Sequence, residues 1–194
     1  MTTINFYSEA IAKAKEKLKN SPYDIYHTLE HYKEVVDIIF DIIQHENLSL
    51  QTNLLEIAAW WHDVYKGDSQ ETQHISKELK KLGLSETNTS QIVEIISNHS
   101  FGQEQNTLED KLLYDADKIT FVSIPRWENA FNSYSNGKIS IEERDKYIPE
   151  WNRRMHVLKN TFNFTYSKNL FGKMYKEFVK WLKLNERWNN GRFV

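Results

Sequence analysis

Apolar residues recur along this chain at spacings of three and four, not two, and the runs are long. Val35, Val36, Ile39, Ile42 and Ile43 form one stripe, Leu55, Ala58 and Ala59 begin another, and Leu170, Met174, Phe178, Trp181 and Leu182 make a third. Positions so spaced share one face of a helix. The pattern predicts helices near 4–19, 28–45, 71–82, 87–98, 108–122 and 167–185. A further helix opens at Asn53, with Glu56 three residues on, and Gly67 stops it. Another begins after Pro125, and Ser140-Ile141-Glu142-Glu143 reads as a capping-box start. The first helix ends before Ser21-Pro22, and Gly83 ends the one over 71–82. No alternating strand pattern, internal repeat or low-complexity linker is visible. The expectation is an all-α, single-domain helical bundle over 1–194. Its motif-bearing core covers about 20–135, and helices of about 140–185 pack on it. The tail from Trp188 to Val194 reads either as a frayed end or as a segment packing on a partner subunit.

Four polar residues interrupt the apolar stripes. His31 falls in line with Val35, Ile39 and Ile42, His62 with Leu55, Ala58 and Ala59, and His99 with Ile92, Ile95 and Ile96. Asp117 follows Leu113 by one turn. Burying an unpaired imidazole or carboxylate costs several kcal/mol by order of magnitude, and metal coordination commonly offsets that cost. Composition narrows the chemistry. The chain has no cysteine, which leaves His and Asp/Glu as ligands and excludes disulfides. Its 25 basic and 27 acidic residues nearly cancel, so no strong field favours nucleic acid, and no basic stripe interleaved with aromatics is present. No apolar run approaches the roughly 20 residues of a membrane span, and a cytoplasmic protein is expected. His45 and His156 read as ordinary surface histidines, and Trp60, Trp61, Phe121, Trp127 and Phe131 mainly as core.

Taken in order, Tyr26-His27-Thr28-Leu29-Glu30-His31, His62-Asp63-Val64-Tyr65-Lys66, Asn98-His99-Ser100 and Asp115-Ala116-Asp117-Lys118 resemble the HD-domain metal-dependent phosphohydrolase superfamily. The spacing from Asn98-His99-Ser100-Phe101 through Thr107-Leu108-Glu109-Asp110-Lys111 is similar to the small stand-alone bacterial members. By position, the resemblance implies that His31, His62, Asp63 and Asp117 ligate a divalent ion: Mn, Fe, Mg, Co, Ni or Zn, one ion or two. Adjacent residues point about 100° apart on a helix, so His62 and Asp63 reach one ion only near a helix end, and Gly67 places that end nearby. His74 and His99 are candidates for a second ion or for direct contact with the first. In cyclic-nucleotide phosphodiesterases, which look similar at Tyr26-His27, the earlier histidine protonates the leaving oxygen, and this implies a general-acid or substrate role for His27. Lys66 matches the lysine of the common His-Asp-Ile-Gly-Lys form, with Tyr65 in place of Gly. Lys66 and Lys118 would neutralise phosphate charge, Tyr26 would help bind substrate, and Asp115 and Glu71 would orient imidazoles.

The function expected on this basis is hydrolysis of a phosphate ester or anhydride, on a nucleotide in the first place, by metal-activated water. Two other readings stay open: a non-enzymatic module that binds metal or nucleotide, and a di-iron oxygenase using His74 and His99. The partner expected is a small phosphate substrate, not nucleic acid or membrane. Monomer and homodimer are equally compatible with the sequence.

Overall fold

The computed structural model describes residues 4–20 and 22–194. Ser21, at the expected first break, lies outside the described residues. The chain folds as α1 (Ile4–Asn20), α2 (Leu29–His45), α3 (Thr52–Trp61), α4 (Glu71–Lys81), α5 (Glu86–Asn98), α6 (Leu108–Ile119), a 3-10 turn (Thr120–Val122), α7 (Ile124–Ser135), α8 (Ile141–Asp145), α9 (Ile148–Leu158), α10 (Thr165–Leu184) and a short hairpin, β1 (Trp188–Asn189) with β2 (Arg192–Phe193). The all-α expectation is met. Helix α3 packs between α1 and α5, while α2 and α5 both pack on α6. Leu55, Ile57, Ala58, Ala59 and Trp61 are buried around almost the whole circumference of α3. Beyond its first turn, where Asn53 is exposed, it is therefore a core helix.

Capping explains several boundaries. Ser85 accepts from the Asn88 N–H to start α5, Thr107 and Asp110 form a reciprocal capping box on α6, and Ser140 accepts from the Glu143 N–H to start α8. Asn53 does not cap α3; Gln51 precedes the helix and makes no side-chain cap bond. Gly83 adopts φ +90, and a Cβ there would come within 2.6 Å of the Phe6 ring. Only glycine closes α4 against α1 in this way.

Two features depart from the sequence reading. Helix α9 was not expected; it buries Ile148, Trp151, Met155 and Leu158. The tail is neither frayed nor free. Asn190 and Gly191 turn the chain with φ +47 and +78, and Trp188 pairs with Phe193 across the hairpin. Phe193 is only 1% exposed, packs edge-on against Trp127 at 4.7 Å, and exchanges backbone bonds with the Asn152 side chain at 2.7 and 2.9 Å.

Candidate metal centre and phosphate cleft

Four helix ends converge on a single buried cluster. His31 lies in the first turn of α2. His62 and Asp63 come directly after α3, where the chain leaves the helix through turns closed by Val64 N–H to Trp61 O, Lys66 N–H to Asp63 O and Asp68 N–H to Tyr65 O. Gly67, at φ +84, sits in that run. The early end of α3 is what lets neighbouring His62 and Asp63 face the same point. His99 follows α5, and Asp117 lies on α6. All five side chains are buried.

The ligand atoms are close. His31 Nε2 lies 3.7 Å from Asp117 Oδ1, His62 Nε2 lies 3.8 Å from the same oxygen and 3.5 Å from Asp63 Oδ2, and His99 Nε2 lies 4.0 Å from Asp63 Oδ1. Three overlapping groups have donor atoms within 4.8 Å of one another: His31, His62 and Asp117; His62, Asp63 and His99; and His27, His31 and Asp63. The ring tautomers suit coordination. His62 Nδ1–H donates to the Ala59 carbonyl at 2.7 Å, and His99 Nδ1–H donates to the Ile96 carbonyl. Both Nε2 lone pairs therefore face the cluster, fixed by a backbone acceptor, as metal-bound histidines usually are. His62 Nε2 and both nitrogens of His31 are buried without a hydrogen-bond partner. Native interiors rarely leave such atoms orphaned, so the donor set fits a divalent cation.

The electrostatics point the same way. Burial pushes His31 well below the ordinary imidazole range, and the Arg126 cation adds to this. Burial likewise lowers His99 to about 4, helped by Lys118 and His62. Burial alone would raise Asp63 and Asp117, but Lys66, His62 and His27 on the first, and Lys118, His62 and His99 on the second, hold both well below the carboxylate range. Neutral imidazoles beside ionised carboxylates are the states that bind metal. A pH dependence follows. The unfolded chain takes up a proton on His99 near 6.5 and the folded chain only near 4, so protonation favours unfolding between these values. Stability of the metal-free protein is expected to be full above about 6.5 and to fall as the pH drops toward 4. Thermal melts across that range should show His99→Gln flattening the fall; an unchanged slope would refute the assignment.

A cavity of about 170 Å³ opens beside the cluster, and His27, Asp117, Lys66, Lys118, Arg126 and Arg154 contribute to its lining together with aromatic residues. Lys66 Nζ donates to Asp63 Oδ2 at 2.8 Å, and Lys118 pairs with Asp117. Each expected cation thus already touches an expected metal ligand. His27 lies ahead of α2, not on it, in a turn where Asp24 Oδ1 accepts the Tyr26 and His27 N–H groups at 2.8 and 3.1 Å.

Several sequence expectations need correction. Tyr26 lines the cavity, but it is 1% exposed and its hydroxyl donates to the Arg144 carbonyl, so that hydroxyl is already committed. His74 is not gathered in. It sits half-exposed on α4, its Nδ1 2.9 Å from Asp68, and belongs to none of the three groups. The di-iron reading loses one of its two extra ligands. Asp115 orients no imidazole; it accepts from Asn163 and Phe164. Glu71 does sense the cluster: burial and the Asp63 charge push its carboxyl up to about 7.

Asp24, Arg126 and Tyr147 were missed by sequence reasoning. Asp24 had a signal, since Asp two residues before a turn amide is a common Asx-turn former. Arg126 had none. It follows Pro125 at the start of α7, and only the fold brings it to His27.

A Lactobacillus plantarum protein solved by structural genomics superposes with a TM-score of 0.71 at 19% identity, with 96% of this chain and 97% of that one covered. Bacillus subtilis YpgQ solved with ADP superposes with a TM-score of 0.67 at 18% identity, with 99% of each chain covered. At such identity the likeness is one of fold. No curated protein matches the chain. Residues 28–121, which hold His31, His62, Asp63, His99 and Asp117, match the family model of the HD domain, consistent with membership of the HD-domain superfamily.

Proposed function

We propose that the protein is a metal-dependent phosphohydrolase acting on a phosphate ester or anhydride, with a nucleotide as the favoured substrate. The observation that carries this reading is a buried His/Asp cluster with unpartnered imidazole nitrogens, opening into a cleft that Lys66, Lys118, Arg126 and Arg154 line together with aromatic residues and Glu150. His31, His62, Asp63 and Asp117 would hold the ion, and His99 with Asp63 and His62 could take a second. A bound divalent ion supplies Lewis acidity and a water acidic enough to ionise near neutral pH. The chain's own residues do the rest. Lys66, Lys118 and Arg126 stand where they can neutralise the oxygens of a phosphoryl group, a preorganised arrangement that favours charge developing there. Buried Asp63 and Asp117 stay ionised between these cations, so the site keeps both signs of charge in place without rearrangement. Phe121, Trp127 and Tyr147 line the same cleft and give an aromatic wall of the kind a base could lie against.

The nucleotide part of the reading has one further support. YpgQ, which shares the fold, was crystallised with ADP. Tyr147, Glu150 and Arg154, which lie beyond the matched HD segment, line the cleft together with His27 and Asp117. We therefore treat the core and the C-terminal helices as one catalytic unit. Among the described residues no helix is long and apolar enough to cross a membrane.

The test is turnover. Protein loaded with Mn²⁺ or Co²⁺ is expected to release phosphate or pyrophosphate from at least one member of a panel of nucleoside mono-, di- and triphosphates and dinucleotides. Stabilisation by nucleotides with no product from any of them would instead favour the non-enzymatic binding module.

A further inference from the structure

Behind the cleft lies a relay that runs away from the metal cluster. Asp24, with a side chain 6% exposed, sits 2.6 Å from His27 Nδ1. Its Oδ1 also accepts two backbone N–H groups, and its Oδ2 accepts from the Tyr147 hydroxyl at 2.5 Å, with Lys146 Nζ 3.6 Å away. A carboxylate is acceptor-only when ionised, and these contacts place donors on both of its oxygens. His27 Nδ1 must therefore carry the ring proton. The opposite nitrogen, Nε2, is then a bare lone pair, and two cations converge on it: Lys66 Nζ at 3.1 Å and Arg126 Nη2 at 3.1 Å. Each of these has one other anchor, Lys66 on Asp63 Oδ2 and Arg126 on Thr120 Oγ1 at 3.2 Å.

We propose that Asp24 is a positioning residue that acts through His27, fixing its Nδ1–H tautomer so that Nε2 holds Lys66 and Arg126 together at the mouth of the metal cluster for an incoming phosphate. Two donors share one acceptor here, so each bond is individually weak, and either cation can transfer to a phosphate oxygen without leaving a buried group unpaired. The arrangement also reassigns His27. Its Nε2 faces two positive charges at 3.1 Å, with Asp63 Oδ2 further off at 3.4 Å, and carries no proton to donate, which makes it a holder of cations and not the acid that protonates a leaving group. The proposal rests on the phosphohydrolase reading for the identity of the ligand, but the tautomer does not depend on that reading.

The first measurement uses metal-free, ¹⁵N-histidine-labelled protein at pH 7, with His27→Gln to assign the ring signals by NMR. The wild type is expected to show a protonated Nδ1 and an unprotonated Nε2 at His27; a proton on Nε2 overturns the proposal. Asp24→Ala should lose this signature, and Asp24→Asn, which keeps an acceptor oxygen, should largely retain it.

The second measurement uses inorganic phosphate as the probe in calorimetry of the Mn²⁺-loaded protein. Asp24→Ala is expected to weaken phosphate binding about tenfold, the size of one charge-assisted hydrogen bond, with Asp24→Asn restoring most of it. Added to His27→Gln, the Asp24→Ala change should bring little further loss, because Asp24 acts on the two cations only through His27. Fully additive losses would overturn the relay. Should Asp24→Ala fail to fold, the wild-type tautomer and the Asp24→Asn variant still decide the question. Phosphate binding with the wrong tautomer removes the role of Asp24 and leaves the hydrolase reading standing. The expected tautomer with no phosphate binding at all refutes both.

Discussion

Mn²⁺ at a hundred times its dissociation constant is expected to stabilise the wild-type protein by about 2.7 kcal/mol, a rise in melting temperature of roughly 5–11 °C for a chain of this size. The His62→Ala, Asp63→Ala double variant should show no rise. The reasoning starts from the metal-free cluster. His62 Nε2 and both His31 nitrogens are buried without partners, and each orphan costs about 1–3 kcal/mol. A cation that satisfies them binds the folded state alone and so stabilises it. Removing His62 takes away the donor shared by two of the three ligand groups, and removing Asp63 takes away the carboxylate shared by two. Substitutions behind a ligand already cost 10–100-fold in metal affinity, so loss of two ligands should cost at least about 100-fold. Without metal, the double variant can lie close to the wild type in stability, because deleting an orphaned imidazole offsets part of the cavity cost. Titration calorimetry and melts with and without Mn²⁺ check both halves. An undiminished Mn²⁺ shift in the variant would contradict the ligand assignment.

Asp115→Ala is expected to have the opposite signature: a large loss of stability with metal affinity intact. Asp115 lies only two residues before Asp117, yet it is fully buried and accepts the Asn163 N–H at 3.0 Å, the Asn163 side-chain amide at 2.9 Å and the Phe164 N–H at 3.1 Å. These bonds tie α6 to the loop that leads into α10. Alanine leaves three donors facing an empty space. Hydrogen bonds to charged groups are worth about 1.5–3 kcal/mol, so a loss on the order of 3 kcal/mol, or roughly 6–12 °C in melting temperature, is expected. Mn²⁺ affinity measured well below that melting point should stay within about twofold, because Asp115 touches no member of the cluster and the effects of separate sites add. A drop in metal affinity comparable to that of the ligand variants would place Asp115 in the site after all.

The contrast between Asp115 and Asp117 marks how far sequence can carry the reading. Both are acidic, two apart, on one helix, and the wheel placed only Asp117 beside an apolar stripe. What Asp115 faces depended on a loop some 48 residues further on, which no local pattern describes. The stripes that predicted helices also placed His31, His62 and His99 inward, since a residue at core spacing must go where the core goes. The 100° problem at His62 and Asp63 anticipated a helix end, and α3 does end at Trp61. His74 failed for the reverse reason. It sits in the first turn of α4, where the carboxylate of Asp68, ahead of the helix, holds it at the surface. The tail failed because a two-residue strand is too short to show alternation. Asn190-Gly191 is nonetheless a recognised hairpin turn pair and was the one local signal available. Arg126 and Tyr147 reach His27 and Asp24 only through tertiary packing, across separations of 99 and 123 residues.

Anomalous diffraction from Mn²⁺-soaked crystals, recorded at the manganese edge, bears most directly on the central claim. The expected map shows a peak at roughly 2.0–2.3 Å from donor atoms of His31, His62, Asp63 and Asp117. A map with no peak there, or with manganese only at surface carboxylates, would contradict it.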